Sequence, residues 1–214
     1  MVKINRLITQ VNYTPLTNKR IMWIVIHYVG AVSSAKANAL YFYKTKRNAS
    51  ASYFVDEKEI WQVVEDKDAA WHVGGASKYY NSCRNNNSIG IELCCKKDSK
   101  GKWYFEDATI QNAIDLTKML VQKYNVPLIR VCRHYDVTHK ICPEPFVRDD
   151  AKWQEFLKRV EATEMAEQPE LTIQEKCEVI KKYYGLDDNT CLYFQMYRYN
   201  VALIDKLYNR AKNG

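Results

Sequence analysis

The chain is poor in the residues that interrupt regular structure. Its 214 residues include only seven glycines and five prolines, which excludes a collagen-like repeat and a Pro/Gly-rich disordered chain. No window approaches 18 consecutive apolar residues, so a membrane-spanning helix is not expected. The opening MVKINRLITQVNYTP lacks the basic start, apolar run and small-residue cleavage site of a secretory signal, and the expectation is a protein held in the cytosol. There is no internal repeat and no CxxC pair. The seven cysteines, odd in number and without an export signal, read as reduced thiols rather than as a disulfide framework. Histidine is scarce too, at four residues, so the placement of each one is informative.

What is present suits a globular fold. Hydrophobic residues make up 47% and aromatics 13%, enough to bury a core. The formal charge is +7, and the excess lies in residues 1–164, with 25 basic and 18 acidic side chains; from Met165 onward there are seven of each. A moderately basic unit suits an acidic partner such as nucleic acid, an anionic polymer or a cell-wall surface, and equally well an ordinary soluble surface with scattered charge. No nucleic-acid motif is recognisable, and nucleic acid is not expected as a ligand.

The apolar pattern predicts an α/β protein, a mixed central sheet flanked by helices. IMWIVIHY, Ile21 to Tyr28, and SIGIELCC, Ser88 to Cys95, are near-continuous apolar runs expected of buried strands. Ser34 caps a helical pattern running to about Arg47, and Ala51–Asp56 with Ile60–Val64 reads as a hairpin. From Asp107, apolar residues at Ile110, Ala113, Ile114, Thr117, Leu120, Val121 and Tyr124 follow the spacing of a core-facing helix, stopped before Pro127. A short strand Leu128–Arg133, an irregular loop with Pro143 and Pro145, and a helix from Asp149 to Val160 complete this unit.

EATEMAEQPE has the composition of a linker. The expected division is 1–162, a linker at 163–170, and a small helical unit at 171–214, with helices over Thr172–Tyr184 and Asn200–Ala211 and a short one between. A unit that small is near the lower limit for an independent fold, and self-association or docking would stabilise it. Met165 is a candidate internal translation start.

Two histidines, His27 and His134, end predicted buried strands, and Cys142 follows His134 across a Pro-containing loop. Two imidazoles and a thiolate suit tetrahedral zinc, and three protein ligands leave the fourth position for water. Spacing alone is weak evidence, and a hydrogen-bonded structural histidine is the commoner fate of a lone strand-end histidine. Glu92, a carboxylate flanked by apolar residues in a central strand, must be paired or functional, because unpaired burial is expensive. Tyr53 reads on its own as a half-buried strand aromatic, and Lys140 as a loop lysine. Cys94, Cys95 and Cys132 read as small buried apolar residues.

RHYDVTHKICPEPF, Arg133 to Phe146, resembles the segment that closes the active site of zinc-dependent N-acetylmuramoyl-L-alanine amidases of type 2. That family includes phage endolysins and bacterial autolysins and is related to peptidoglycan recognition proteins. WIVIHYVG is similar to its first ligand strand, SYFVD to its tyrosine strand, AWHVGG to its groove loop and SIGIELC to its glutamate strand. The resemblance covers about residues 20–160.

It implies one catalytic zinc held by His27, His134 and Cys142, with Glu92, Lys140 and Tyr53 as catalytic residues and His72 as a substrate contact. Glu92 would move protons, while Tyr53 and Lys140 would face the developing oxyanion. Two positions depart from the family pattern: His139 stands where many relatives have a small residue, and Glu144 interrupts the CPGP turn.

The implied activity is hydrolysis of the bond between N-acetylmuramic acid and L-alanine in peptidoglycan, as an endolysin waiting in the host cytoplasm until a holin releases it to the wall. A non-cutting recognition module, an autolysin of the same chemistry and a cysteine hydrolase using Cys142 and His134 are the alternatives. Non-catalytic relatives typically lack the ligand cysteine. The tail, with Tyr183, Tyr184, Tyr193, Phe194, Tyr197, Tyr199 and Tyr208, is read as a module binding the wall through a secondary polymer, or as helical core packing.

Overall fold

The computed structural model describes residues 3–162, 172–196 and 200–213. The chain divides into two compact units, Met1–Thr163 and Glu164–Gly214. The first begins with β1 (Ile4–Arg6), β2 (Tyr13–Thr14), β3 (Trp23–Tyr28) and helix α1 (Ala35–Tyr43). Next come β4 (Tyr53–Val55), β5 (Ile60–Gln62), β6 (Ala69–Ala70), β7 (Ser88–Leu93), β8 (Lys96–Lys97) and β9 (Trp103–Tyr104). Helix α2 (Asp107–Tyr124), β10 (Val131–Arg133), α3 (His134–Thr138), α4 (Glu144–Arg148) and α5 (Asp150–Glu161) close the unit.

Six strands form one mixed sheet in the order β1-β5-β4-β7-β3-β10. The central pairs β4–β7, β7–β3 and β3–β10 are parallel, and β4–β5 is the antiparallel hairpin. This is the mixed sheet with helical cover expected from the pattern. Side chains alternate between its faces. On one face Ile24, Ile26, Ile89, Ile91 and Leu93 pack with Ala113, Ile114, Leu116 and Leu120 of α2 and with Trp153 and Phe156 of α5. On the other, Val25 packs with Val73, Cys83, Cys132 and Val137, while Phe54 packs with Ala35, Ala39, Val63 and Cys94. His27 and Glu92, out of phase with Ile26 and Ile91, belong to this second face.

Three local expectations are corrected. Helix α1 ends at Tyr43 rather than near Arg47, because Thr9 and Asn12 take its last carbonyls: the Asn12 side-chain amide donates to the carbonyls of Phe42 and Thr45, both at 2.8 Å. Leu128–Arg130 forms a 3-10 turn rather than strand, with the Arg130 N–H donating to the Pro127 carbonyl and Ile129 exposed to solvent. The Pro143–Pro145 segment opens a short helix, α4, since Pro145 sits in its first turn, where no intrahelical N–H is required.

The second unit holds α6 (Ile173–Tyr184), α7 (Asp188–Met196) and α8 (Asn200–Asn213). Thr172 and Glu175 form a capping box at the start of α6, and Gly185 ends it in the left-handed conformation. Cys177, Ile180, Cys191 and Ile204 make the core, with Phe194 and Tyr208 packed on it. Tyr183, Tyr184 and Tyr193 are exposed. The expected linker, Met165, Tyr197 and Tyr199 lie outside the described residues. Among the described residues, no helix is long and apolar enough to cross a membrane.

Candidate active site

The parallel register of β3 and β7 sets His27 directly beside Glu92, and β4 sets Phe54 on the carboxylate's other side. Strand β10, neighbour to β3, ends where His134 opens α3. The following loop folds back: the Tyr135 N–H donates to the Cys142 carbonyl at 2.8 Å, and the Cys142 N–H to that of Lys140 at 2.7 Å. Cys142 Sγ thereby comes to 3.7 Å from His27 Nδ1. The ligand atoms of His27, His134 and Cys142 all lie within 4.8 Å of one another, and all three side chains are buried. They form a group able to hold a metal ion.

Electrostatics fit a cation at this point. His134 Nδ1 and Glu92 Oε2 are buried without a hydrogen-bond partner, a costly arrangement that a bound ion and its water would relieve. Burial drives the His27 imidazole well below its usual range; for His134, burial and then the Lys140 charge bring it to about 4. Both rings are therefore neutral, as metal ligands must be. Burial raises Glu92 to about 8, opposed by Lys140, so its carboxyl gains and loses a proton near neutrality. Burial also pushes the Cys142 thiol up to about 12. The thiol must give up its proton when a metal binds.

The three candidate ligands, Glu92 and Lys140 open onto a groove of about 690 Å³ walled by Tyr28, Phe54 and Trp71. It continues past Trp71, His72 and Lys140 into a second lobe of about 750 Å³ bordered by Lys78, Tyr80 and His139. His139 is no metal ligand here. It ends α3 in the left-handed conformation and stacks on Tyr80 at 3.5 Å and on Tyr135 at 5.1 Å between ring centroids. Glu144 starts α4, and its carboxylate accepts from the Tyr28 hydroxyl at 3.4 Å.

Two sequence expectations change. Tyr53 is not in the site. It projects from the α2 face of the sheet, its hydroxyl donates to Asp66 Oδ1 at 2.6 Å, and Asp66 also takes Gln62, Lys123 and Tyr124. Each strand residue turns to the opposite face from its neighbour, and SYFV, uniformly buried, carries no alternation that would reveal which face Tyr53 takes.

His72 does border the groove, but both ring nitrogens are engaged by protein: Nδ1 lies 3.0 Å from His27 Nε2, and Nε2 lies 3.0 Å from Ser88 Oγ. Ser88 and Asn85, whose side-chain oxygen accepts from the backbone N–H groups of His72 and Val73, were not foreseen from sequence. Their only signal was the polar stretch before the apolar IGIEL run.

A family model described as N-acetylmuramoyl-L-alanine amidase matches residues 17–145. The chain is similar to a probable N-acetylmuramoyl-L-alanine amidase of Bacillus licheniformis, 36% identical over 148 residues, covering 65% of this chain and 41% of that protein. It is likewise similar to the amidase CwlL of the same species, 35% identical over 175 residues, covering 76% of this chain and 48% of the relative. The chain thus spans less than half the length of either. Among solved structures, a mutant endolysin from Bacillus subtilis superposes with a TM-score of 0.61 at 27% identity, over 75% of this chain and 99% of that one. The matched segment holds His27, Glu92, His134 and Cys142 together with the sheet that carries them, and on that evidence the chain belongs to the N-acetylmuramoyl-L-alanine amidase family.

Proposed function

We propose that this chain is a zinc-dependent endolysin that hydrolyses the amide between N-acetylmuramic acid and L-alanine in bacterial peptidoglycan. The observation that carries the reading is the buried His27, His134 and Cys142 group at the floor of an open groove, with the unpartnered Glu92 carboxylate beside it. Two imidazoles and one thiolate are the donor set of zinc rather than of magnesium or calcium, and three ligands leave a position open. Bound there, zinc would acidify a water and polarise the scissile carbonyl.

The chain's own groups supply the rest. Glu92 takes the proton of the attacking water and delivers it to the departing amide nitrogen as the C–N bond breaks, leaving the muramoyl carboxylate and a free L-alanine amine. Lys140, at the groove surface beside Glu92, stabilises the charge that grows on the carbonyl oxygen. The walls formed by Tyr28, Phe54 and Trp71 position the glycan-linked stem.

In this reading residues 1–162 perform the chemistry, 163–170 link the units, and 171–214 hold the enzyme on the wall through a secondary polymer, with exposed Tyr183, Tyr184 and Tyr193 as stacking surfaces. The protein waits in the host cytoplasm until a holin opens the membrane. Digestion of purified peptidoglycan with and without chelator, followed by mass spectrometry, tests the activity. Free stem peptides beginning at L-alanine, lost with chelator and restored by zinc, are expected; glycan-linked stems left intact by zinc-loaded protein would overturn it.

A further inference from the structure

His27, His72 and Ser88 lie in a row behind the candidate metal group, all buried. Cys142 Sγ faces His27 Nδ1, so His27 Nε2 is the nitrogen turned away from the site, and it meets His72 Nδ1 at 3.0 Å. His72 Nε2 meets Ser88 Oγ at 3.0 Å, and Ser88 Oγ meets the Arg84 carbonyl oxygen at 2.6 Å.

The last group fixes the direction of the whole row. A backbone carbonyl can only accept, so the Ser88 hydroxyl must donate to Arg84. Its oxygen is then the acceptor for His72, which must carry its proton on Nε2 and present a bare Nδ1. That bare nitrogen can only accept, so His27 carries its proton on Nε2 and presents a bare Nδ1 toward Cys142 and His134. The opposite polarity would leave Ser88 without a hydrogen for Arg84 and put a proton on the His27 nitrogen that faces the thiol.

We infer that His72 and Ser88 are positioning residues, a hydrogen-bond relay that transmits the polarity of the Arg84 carbonyl to His27 and holds its imidazole in the metal-binding tautomer. The rest of the local fold is built around this row. The His72 backbone is pinned by the Asn85 side chain. Gly90, beside Val25 on the neighbouring strand position, leaves the room the His72 ring occupies: a Cβ there would stand 2.6 Å from His72 Cγ. Partners of this kind, on the far nitrogen of a ligating histidine, typically change metal affinity about 10- to 100-fold when removed.

The inference rests on the metal reading proposed above, and two measurements on the full chain separate the two. The first is long-range ¹H–¹⁵N correlation of the imidazole nitrogens in metal-free protein. His27 and His72 are both expected as Nε2–H tautomers, and a His27 protonated on Nδ1 overturns the relay. The second is competition of the protein with a fluorescent chelator for Zn²⁺, comparing the parent with Ser88→Ala, which removes a single oxygen, and His72→Phe, which keeps a ring. Zinc affinity reduced about tenfold or more in Ser88→Ala, with an unchanged circular dichroism spectrum, is expected. Affinity within twofold of the parent in Ser88→Ala overturns the relay while leaving the metal reading standing. A parent that binds no zinc overturns the metal reading itself.

Discussion

Tyr53 and Glu92 sit one residue out of step on neighbouring parallel strands, with Tyr53 paired to Ile91 and Phe54 to Glu92, and their side chains leave the sheet on opposite faces. The tyrosine belongs to the packing of α2 and the glutamate to the groove. Replacing Tyr53 with Phe removes the hydroxyl that donates to the buried Asp66 carboxylate. Stability is expected to fall by about 1.5–3 kcal/mol, the usual worth of a hydrogen bond to a charged group. Specific activity of the folded fraction should stay within a few fold. Urea denaturation beside a peptidoglycan-release assay checks both, and a hundredfold activity loss at unchanged stability would return Tyr53 to the catalytic machinery.

For Glu92→Gln the balance reverses. The variant keeps the side chain's size and loses its proton-carrying capacity, so kcat should drop by about 10²- to 10⁴-fold. Zinc binding should persist, because Glu92 is outside the three-ligand group. Lys140→Met should lose about 10²- to 10³-fold in rate, the typical effect of losing one oxyanion donor. Turnover rates from dye-released peptidoglycan fragments decide these points.

Cys142→Ala removes one of three ligands from a buried group. Zinc retention after gel filtration and amide hydrolysis are both expected to disappear, while chelation of the parent should reproduce the loss and added zinc reverse it. Parent activity that survives chelation with the metal content at zero would contradict the proposed chemistry.

Gly90→Ala tests the close approach of β7 to His72. The new methyl must displace a buried ring from 2.6 Å, and overpacking of this kind typically costs about 1–3 kcal/mol. Thermal denaturation should register that cost, and zinc affinity should fall as His72 is pushed off His27. A Gly90→Ala protein with the parent's stability and affinity would show that the ring has room to move.

Lys19 reports on pH. Its ammonium donates to the Asp68 carbonyl at 2.8 Å, and burial lowers it to about 8 against an ordinary 10.5, with Asp66 and Asp68 opposing the shift. The folded state therefore binds fewer protons than the unfolded chain between those values. Stability should rise with pH from about 8 toward 10.5, by at most about 1.4 kcal/mol per pH unit for this one group. Lys19→Met should remove that rise. Parallel urea titrations at pH 7.5, 8.5 and 9.5 are the check, and an identical slope in the variant would mean that Lys19 is freely hydrated.

The strongest sequence signals were those in which one residue pattern admits one structure. The apolar runs around His27 and Glu92 became β3 and β7, and the 3.6-residue spacing after Asp107 became α2. Weaker signals failed where backbone hydrogen bonding from distant residues intervened. Thr9 and Asn12 ended α1 from 33 and 30 positions away, and Pro145 entered a helical first turn, which its presence in a loop-like segment had concealed.

The kinds of residue at the site were legible in the chain: the Glu92 carboxylate among apolar neighbours declared its cost through local chemistry, while His27, His134 and Cys142 were picked out as a ligand set by the family resemblance and not by their spacing. Which face each strand residue takes, and what stands behind a ligand, were decided only by tertiary structure. Register is a relation between strands, and a shift of one residue exchanges core for groove. In the uniformly buried SYFV segment nothing local distinguishes the two choices, so the packing of α2 and the Asp66 carboxylate placed Tyr53. The row from His27 through His72 to Ser88 spans 61 positions of sequence, and the pairing of β3 with β7, with Asn85 holding the His72 backbone, brings it together.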